Sequence, residues 1–385
     1  MSEIINKPKI AIIGSRGYPH VYSGYETFVK ETFELLSDKY DVHVYCHSHL
    51  FKSKPKVVNN IKLHYTFGVN HKSFSQLSYS FFATLHALYL TRFDVILYVN
   101  TANGPFGFLT KLFNVKTAII TDGLEWLRPK WKGKAAKYFY WASEYSTKVF
   151  DVLISDSQEM RKIYLEKFNS DSVVIEYGAH IKKSRDGSKL GQFGLKSKEY
   201  YLVVARLVPD NNADIIVEGF KKANTSKKLV VVGDVPYRDE YADRIKSNSS
   251  ENVIFPGYVT DQELLMELYS NAYVYIHGHE YGGTNPTLLK ALAYGCSILA
   301  LDTAFSREVL CDEKYGTYFQ KNISDLAKSV ERLDNESERV LDQQKNSKNR
   351  ITEHYTWQRI ANEYDKLFQK MTHGDFKVNS KFHLK

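Results

Sequence analysis

Between His277 and Gly295 the sequence reads HGHEYGGTNPTLLKALAYG. A strand-like run, Ala272 to His277, ends in paired glycines, then Thr284, Asn285 and Pro286, and Pro286 suits the first turn of a helix. Gly283, Thr284 and Asn285 would present backbone N–H groups where the helix dipole is positive, which is a cradle for a diphosphate. A helix that only had to pack would not need this run of residues. Glu280 before the loop and Lys290 after it join the candidate ligand contacts.

Three further motifs carry possible chemistry. In ARLVPDNN, residues 205–212, Arg206 follows a strand and could clamp a diphosphate through two parallel hydrogen bonds, or be an ordinary surface arginine. Asn211 lies five residues on. In GSRGYPHVYSGYE, residues 14–26, Gly14, Gly17 and Gly24 let the backbone approach a ligand before a helix, with Glu26 beside them. The spacing is not G-x-G-x-x-G, so a dinucleotide fingerprint is not met, and a tight strand-to-helix turn is the alternative. In TDGLEWLRPKWK, residues 121–132, Asp122 and Glu125 could orient a hydroxyl or balance positive charge on a sugar ring, with Trp126 and Trp131 stacking on sugar faces. An N-capping aspartate with aromatic packing is the alternative there.

These loops need strands and helices to hold them. Lys9–Ile13, Asp41–Cys46, Asp94–Val99, Lys116–Thr121, Val152–Ser155 and Ser172–Ile175 read as short strands, and Thr27–Ser37 as a helix. Residues 182–198 (KKSRDGSKLGQFGLKSK) are polar and aperiodic and read as a linker. The pattern then restarts, with strands Tyr200–Ala205, Lys228–Gly233, Val253–Phe255, Ala272–His277 and Ser297–Leu301. Helices Ala213–Ala223, Tyr237–Lys246, Asp261–Ser270 and Thr287–Tyr294 lie between them. Trp357–Met371 reads as a last helix able to cross back to the first half. The alternation implies an α/β fold of two doubly wound parallel sheets, with ligands beyond the carboxyl ends of the strands. The expected domains are residues 1–183 with a returning tail, 365–385, and residues 184–364.

Length and composition agree, since 385 residues suit two α/β domains of about 180 residues each. The three cysteines, Cys46, Cys296 and Cys311, give neither a disulfide framework nor a metal pattern, which fits a reducing cytoplasm. No Asp-x-Asp pair of the kind that holds a divalent ion on a nucleotide sugar stands out, so metal independence is expected. The N-terminus lacks a signal layout and no apolar run reaches the roughly 20 residues that span a bilayer. Residues 1–150 hold 19 Lys and Arg against 10 Asp and Glu, and the rest hold 33 against 34, so the whole excess of +8 sits in the first half. A one-sided basic domain suggests an anionic partner. Lysines interleaved with Trp131, Tyr138, Phe139 and Trp141, and the aromatic run Phe74–Leu90, fit contact with an anionic membrane surface on the cytoplasmic side. For Phe74–Leu90 a buried helix is the equal alternative. No nucleic-acid reading motif is present.

Taken together, IIGSRGYPHVYSGYETFV, TDGLEWLRPKW, ARLVPDNN and HGHEYGGTNPTLLKALAYG resemble the signatures of family 4 of the retaining GT-B glycosyltransferases, and most closely its bacterial polysaccharide rhamnosyltransferases. The closing HYTWQRIANEYDKLF resembles that family's returning helix. The resemblance covers almost the whole chain. It implies two Rossmann-like domains facing a cleft, with an acceptor in the first and a nucleotide-sugar donor in the second. No other cofactor is implied. Arg206 matches the family's diphosphate-binding arginine, Gly283, Thr284 and Asn285 match the loop over diphosphate and sugar, and Asp122 falls where the first domain offers a polar residue to the transferred sugar. The implied transfer passes through an oxocarbenium-like transition state on one face, with Arg206 and backbone donors stabilising the leaving diphosphate.

Two positions depart from that family. Its paired glutamates, eight residues apart, correspond here to Gly282 and Lys290, and Asn211 stands where many members carry a phosphate-binding lysine. The second glutamate usually holds ribose hydroxyls, so Lys290 points to a deoxyribose donor such as dTDP-rhamnose, with a UDP-sugar as the other choice. The acceptor expected is lipid-linked or a glycan. Two other readings stay open: an inactive partner subunit of a glycan-building complex, and a nucleotide-sugar epimerase of the same fold.

Overall fold

The computed structural model describes residues 7–20, 23–69, 75–121, 123–235 and 238–373. They form two compact units. The first runs to Trp126, resumes over Lys132–Tyr177 and takes in the chain from Trp357, and the second comprises Leu127–Trp131 and Gly178–Thr356.

The first unit is built from β1 (Lys9–Ile13), α1 (Gly24–Leu36), β2 (Asp41–His47), β3 (Val57–Val58), β4 (Ile61–Thr66), α2 (Ser75–Leu90) and β5 (Val95–Val99). It continues through α3 (Gly107–Leu112), β6 (Lys116–Ile120), α4 (Lys134–Val149), β7 (Val152–Ser155), α5 (Gln158–Phe168) and β8 (Val173–Val174). The sheet order is β3-β4-β2-β1-β5-β6-β7-β8, parallel except for the short β3–β4 pair. Ile10 pairs with Val42 on one side and Val95 on the other. The central strands are apolar on both faces because helices cover both, as a parallel sheet requires.

The second unit holds β9 (Tyr200–Val204), α6 (Ala213–Lys222), β10 (Lys228–Val232), α7 (Glu240–Lys246), β11 (Val253–Gly257), α8 (Gln262–Ser270) and β12 (Val274–His277). After these come α9 (Pro286–Ala293), β13 (Ser297–Leu301), α10 (Ala304–Leu310), β14 (Thr317–Phe319), α11 (Ile323–Asn335) and α12 (Ser337–His354). Its all-parallel sheet has the order β11-β10-β9-β12-β13-β14. Tyr201, Val203, Ile216, Phe220, Val231 and Leu326 are among the buried side chains of its core.

The last helix, α13 (Trp357–His373), packs in the first unit as the sequence implied. Tyr364 and Phe368 lie against Phe28 and Phe33 of α1, with ring centroids 5.1 Å apart for Phe28–Tyr364 and 6.1 Å for Phe33–Phe368. Asp365 takes a 2.8 Å hydrogen bond from the Tyr40 hydroxyl and an ion pair from Lys39.

Two local readings differ from what is found. Residues 182–198 are not a loose linker. They include a 3-10 stretch, Gly187–Phe193, with Leu190 buried, and the Glu267 carboxylate accepts from Ser184 Oγ, Arg185 N and Asp186 N. A carboxylate supplied from α8 orders a segment that has no periodicity of its own. Helix α7 starts at Glu240, after Asp239, whose side chain accepts from Tyr241 N and Ala242 N. The expected start, Tyr237, lies outside the described residues.

Candidate active site

In the second unit, β9 and β12 are neighbours, yet β9 leads to β10 on its far side and the chain returns to β12 only after β11. The strand order reverses between them, and the loops that leave such a pair form the ligand crevice of a doubly wound sheet. Those loops are Ala205–Asn212 and Gly278–Asn285, which carry Arg206, Asn211, Glu280, Gly283, Thr284 and Asn285.

Two short hydrogen bonds join the two loops. The Asn212 side chain donates to Gly278 O at 2.9 Å, and Glu280 N donates to Asp210 O at 3.0 Å. A Cβ on Gly278 would sit 2.4 Å from Asn211 O, so only glycine allows this approach. Asn211 is buried and its amide donates to Arg206 O at 2.8 Å, while Val208 N donates to the same oxygen at 2.9 Å. The backbone of Arg206 is thus fixed while its side chain is exposed, which leaves the guanidinium accessible on a rigid base.

At the second loop, Gly282 has φ +115°, a conformation that favours glycine, and nothing lies within 4 Å of where a Cβ would be. Asn285 caps α9, its Oδ1 accepting from Thr287 N at 2.9 Å and Thr287 Oγ1 at 2.8 Å. Its side chain therefore serves the helix. Gly283 and Thr284 are buried beside it. Glu280 is paired with Lys321 at 2.5 Å. Lys290 is half-buried, and burial, with Lys182 adding repulsion, holds its pKa below the usual lysine value. It makes no ion pair among the described residues.

The base of the site is electrostatically built. Asp210, 2% exposed, takes Arg128 Nη2 at 2.6 Å and Nε at 2.8 Å on one oxygen. His277 and His279 stack 4.5 Å apart. Burial, with the charges of Arg128 and Arg206 beside it, lowers the His279 pKa to about 3, and burial takes His277 well below the ordinary value. Both rings are neutral at physiological pH. The positive charge of the loop pair is therefore that of the arginines, with Arg128 already balanced by Asp210.

The first unit has the same topology, its strand order reversing between β1 and β5. Gly14 has φ +111°, and a Cβ there would meet Val99 O at 2.4 Å and Asn103 Nδ2 at 2.6 Å. Gly17 has φ +123° and packs on Cys46 and Phe51, and Gly24 opens α1. Glu26 is 3% exposed. Its carboxylate accepts from Arg16 N at 2.8 Å, Ser23 N at 2.8 Å and Ser23 Oγ at 2.6 Å, so it shapes the glycine loop from within.

Opposite that loop stand Asn100 and Asn103, which the sequence reading passed over. Asn100 has φ +79°, accepts from Ala102 N at 2.7 Å and donates to Tyr25 Oη at 2.9 Å. Its positive φ beside a switch point makes this turn a candidate part of the site. The available signal was the turn cluster Asn-Thr-Ala-Asn-Gly-Pro directly after a strand.

Asp122 lies outside the described residues. Glu125 is buried in a 3-10 turn, Glu125–Leu127, in the first unit's part of the TDGLEWLRPKWK motif. Trp126 is half-buried and packs edge-on against Tyr140, Tyr164 and Phe168. Among the described residues no group of three His, Cys, Asp or Glu is placed to hold a metal ion.

Residues 190–350 match the family model for glycosyl transferases group 1, and residues 7–180 match a domain of unknown function, DUF1972. The chain is 25% identical to the uncharacterized glycosyltransferase MJ1069 of Methanocaldococcus jannaschii, over 94% of this chain and 99% of that one. Among solved structures it is similar to sucrose-phosphate synthase from Thermosynechococcus elongatus, with a TM-score of 0.80 and 18% identity over 96% of this chain and all of that one. It is also similar to HepE of Anabaena in complex with UDP, with a TM-score of 0.74 and 13% identity over 94% of this chain and all of that one. The fold is GT-B, and the matched domain marks the chain as a glycosyltransferase.

Proposed function

We propose that the protein moves a hexose from a nucleoside diphosphate sugar, held by the second unit, to a lipid-linked or glycan acceptor bound by the first. The observation that carries this is the locked pair of loops at the β9/β12 switch point. An anchored arginine with an accessible guanidinium there adjoins an open glycine loop at the N-terminus of α9. HepE, solved with UDP and with UDP-glucose, gives the donor class on the same fold.

In this reading Arg206 and the N–H groups of the Gly283–Asn285 loop receive charge as the sugar–phosphate bond breaks, which is where fixed donors contribute most to rate. Asp122 and Glu125 hold the transferred sugar or the acceptor hydroxyl. Transfer is retaining, of the family 4 type, and needs no metal. The donor is a dTDP-sugar, with L-rhamnose as the sugar, because Lys290 occupies the position from which a carboxylate would bind a ribose 2′-hydroxyl. The product is a bacterial surface polysaccharide, assembled on the cytoplasmic face of the membrane.

Calorimetric titration of the purified protein with dTDP and with UDP, each with and without magnesium, tests the donor site. Saturable binding without magnesium, stronger for dTDP, is expected. No binding of either nucleotide by folded protein would overturn the reading in favour of an inactive partner subunit.

A further inference from the structure

Helices α2, α3 and α4 of the first unit leave an apolar surface uncovered. Tyr79, Ala83 and Ala87 bury one face of α2, while Phe81 and Phe82 stand out of the other at 39% and 41% exposure. Rings continue from there, Phe67 to Phe82 at 5.7 Å, Phe82 to Phe81 at 5.4 Å and Phe81 to Phe106 at 6.2 Å. Helix α3, packed against both α2 and α4, adds Phe108 and Leu112 at 49% and 65%, and Phe113 directly after it stands at 55%. Helix α4 adds Trp141 at 47%, stacked on Tyr145. Exposed apolar groups this large, on helices packed one against the next, mark an interaction surface.

Its charges are almost all of one sign. The sequences of α2 and α3 contain no aspartate or glutamate. The single acidic residue of α4, Glu144, is already paired with Lys148 at 2.6 Å. Lys111, Lys134 and Lys137 are exposed along the same helices. A second copy of the chain docked on this face about a two-fold axis would set lysine against lysine. An anionic lipid layer answers both features, taking aromatic rings at its interface and lysines at its headgroups.

We infer that the α2–α3–α4 face of the first unit docks in plane on an anionic membrane, with Phe108, Leu112, Phe113 and Trp141 entering the headgroup boundary. No helix among the described residues is long and apolar enough to cross it. The docking rests on the membrane location proposed above but not on the donor chemistry, and its test uses no nucleotide.

The full chain is sedimented with vesicles of phosphatidylcholine alone and of phosphatidylcholine with phosphatidylglycerol. Binding to the anionic vesicles only, weakened by salt, is expected. The double variant Leu112→Glu/Phe113→Glu should lose at least about tenfold in vesicle affinity with an unchanged melting temperature. Should that variant misfold, Lys134→Glu/Lys137→Glu, which alters solvated side chains, decides by the same measure. Failure to bind anionic vesicles overturns the inference, as does equal binding by a folded variant. A concentration-dependent dimer abolished by Leu112→Glu/Phe113→Glu, without vesicle binding, would assign the face to self-association instead.

Discussion

Arg128 and Asp210, 82 positions apart in sequence, form a buried ion pair in the second unit, with Nη2 and Nε of Arg128 both on Asp210 Oδ2. The same aspartate's carbonyl receives Glu280 N, so the pair sits beneath both loops of the candidate donor site. In the sequence Arg128 stands between Trp126 and Trp131 like a surface cation, whereas here its charge is balanced by Asp210.

Breaking a buried pair from one side leaves an uncompensated charge, at a cost of about 3–5 kcal/mol. Arg128→Ala should therefore lower the melting temperature and weaken nucleotide binding together. The double change Arg128→Met/Asp210→Leu should recover much of the stability, since it removes both charges. Thermal melts of the two variants against wild type check this, and equal losses in single and double variants would show that the pair is not the source.

Asn211 and Arg206 separate stability from chemistry. Asn211→Ala removes one of the two donors on Arg206 O, Val208 N keeping the other, and the loss of such a hydrogen bond costs about 1 kcal/mol. Arg206→Ala touches an exposed side chain and should change stability by less than about 0.5 kcal/mol, yet lower kcat by about 100-fold or more if its guanidinium stabilises the leaving diphosphate. Denaturant unfolding beside transfer assays would distinguish the two. An active Arg206→Ala enzyme would remove that residue from the mechanism.

Much of this site was legible because strand–loop–helix punctuation is local. The run Gly282 to Pro286 announces a helix N-terminus, and the observed cap at Asn285 follows directly. Half of what Glu26 does was legible, since Ser23 and Glu26 have the spacing of a capping box, but its bond from Arg16 N was not, because that needs the loop turned back by Gly14 and Gly17. Nor could sequence show Asn211 turned inward to a carbonyl, because whether an amide meets ligand or backbone is set by the turn that Asn212, at φ +53°, completes. Helix α11 is amphipathic, with Leu326, Val330 and Leu333 buried, so its pattern too is readable from the sequence. The pairing of Phe67 with Phe82, by contrast, needs the sheet to bring β4 and α2 together.

Lys290 offers a test of donor choice. It is half-buried, has no ion pair among the described residues and is repelled by Lys182. Lys290→Glu would place a carboxylate where a ribose 2′-hydroxyl can donate to it. One such hydrogen bond contributes about 1 kcal/mol, so UDP affinity should rise about fivefold relative to dTDP. Competitive titration of the variant with both nucleotides measures the ratio. An unchanged ratio would place Lys290 away from the ribose.

The neutral histidines set the acid limit of the fold. Burial, helped by His49 and Arg16, lowers the His47 pKa to about 3, and burial takes His277 well below the ordinary 6.5. A group whose folded pKa is depressed in this way is neutral in both states above pH 6.5. Below that pH the unfolded chain binds the proton and the folded chain does not, so stability falls. Each such histidine adds a slope of about 1.4 kcal/mol per pH unit once its unfolded form is protonated. Urea unfolding should therefore show a plateau from pH 8 to about 6.5 and a steep decline toward pH 5. His47→Gln removes one titrating ring, and its curve should run less steeply by about one proton's worth. Parallel curves for wild type and variant would mean that His47 is charged in the folded protein, contrary to its burial at 3% exposure against Tyr79, 3.7 Å between ring centroids.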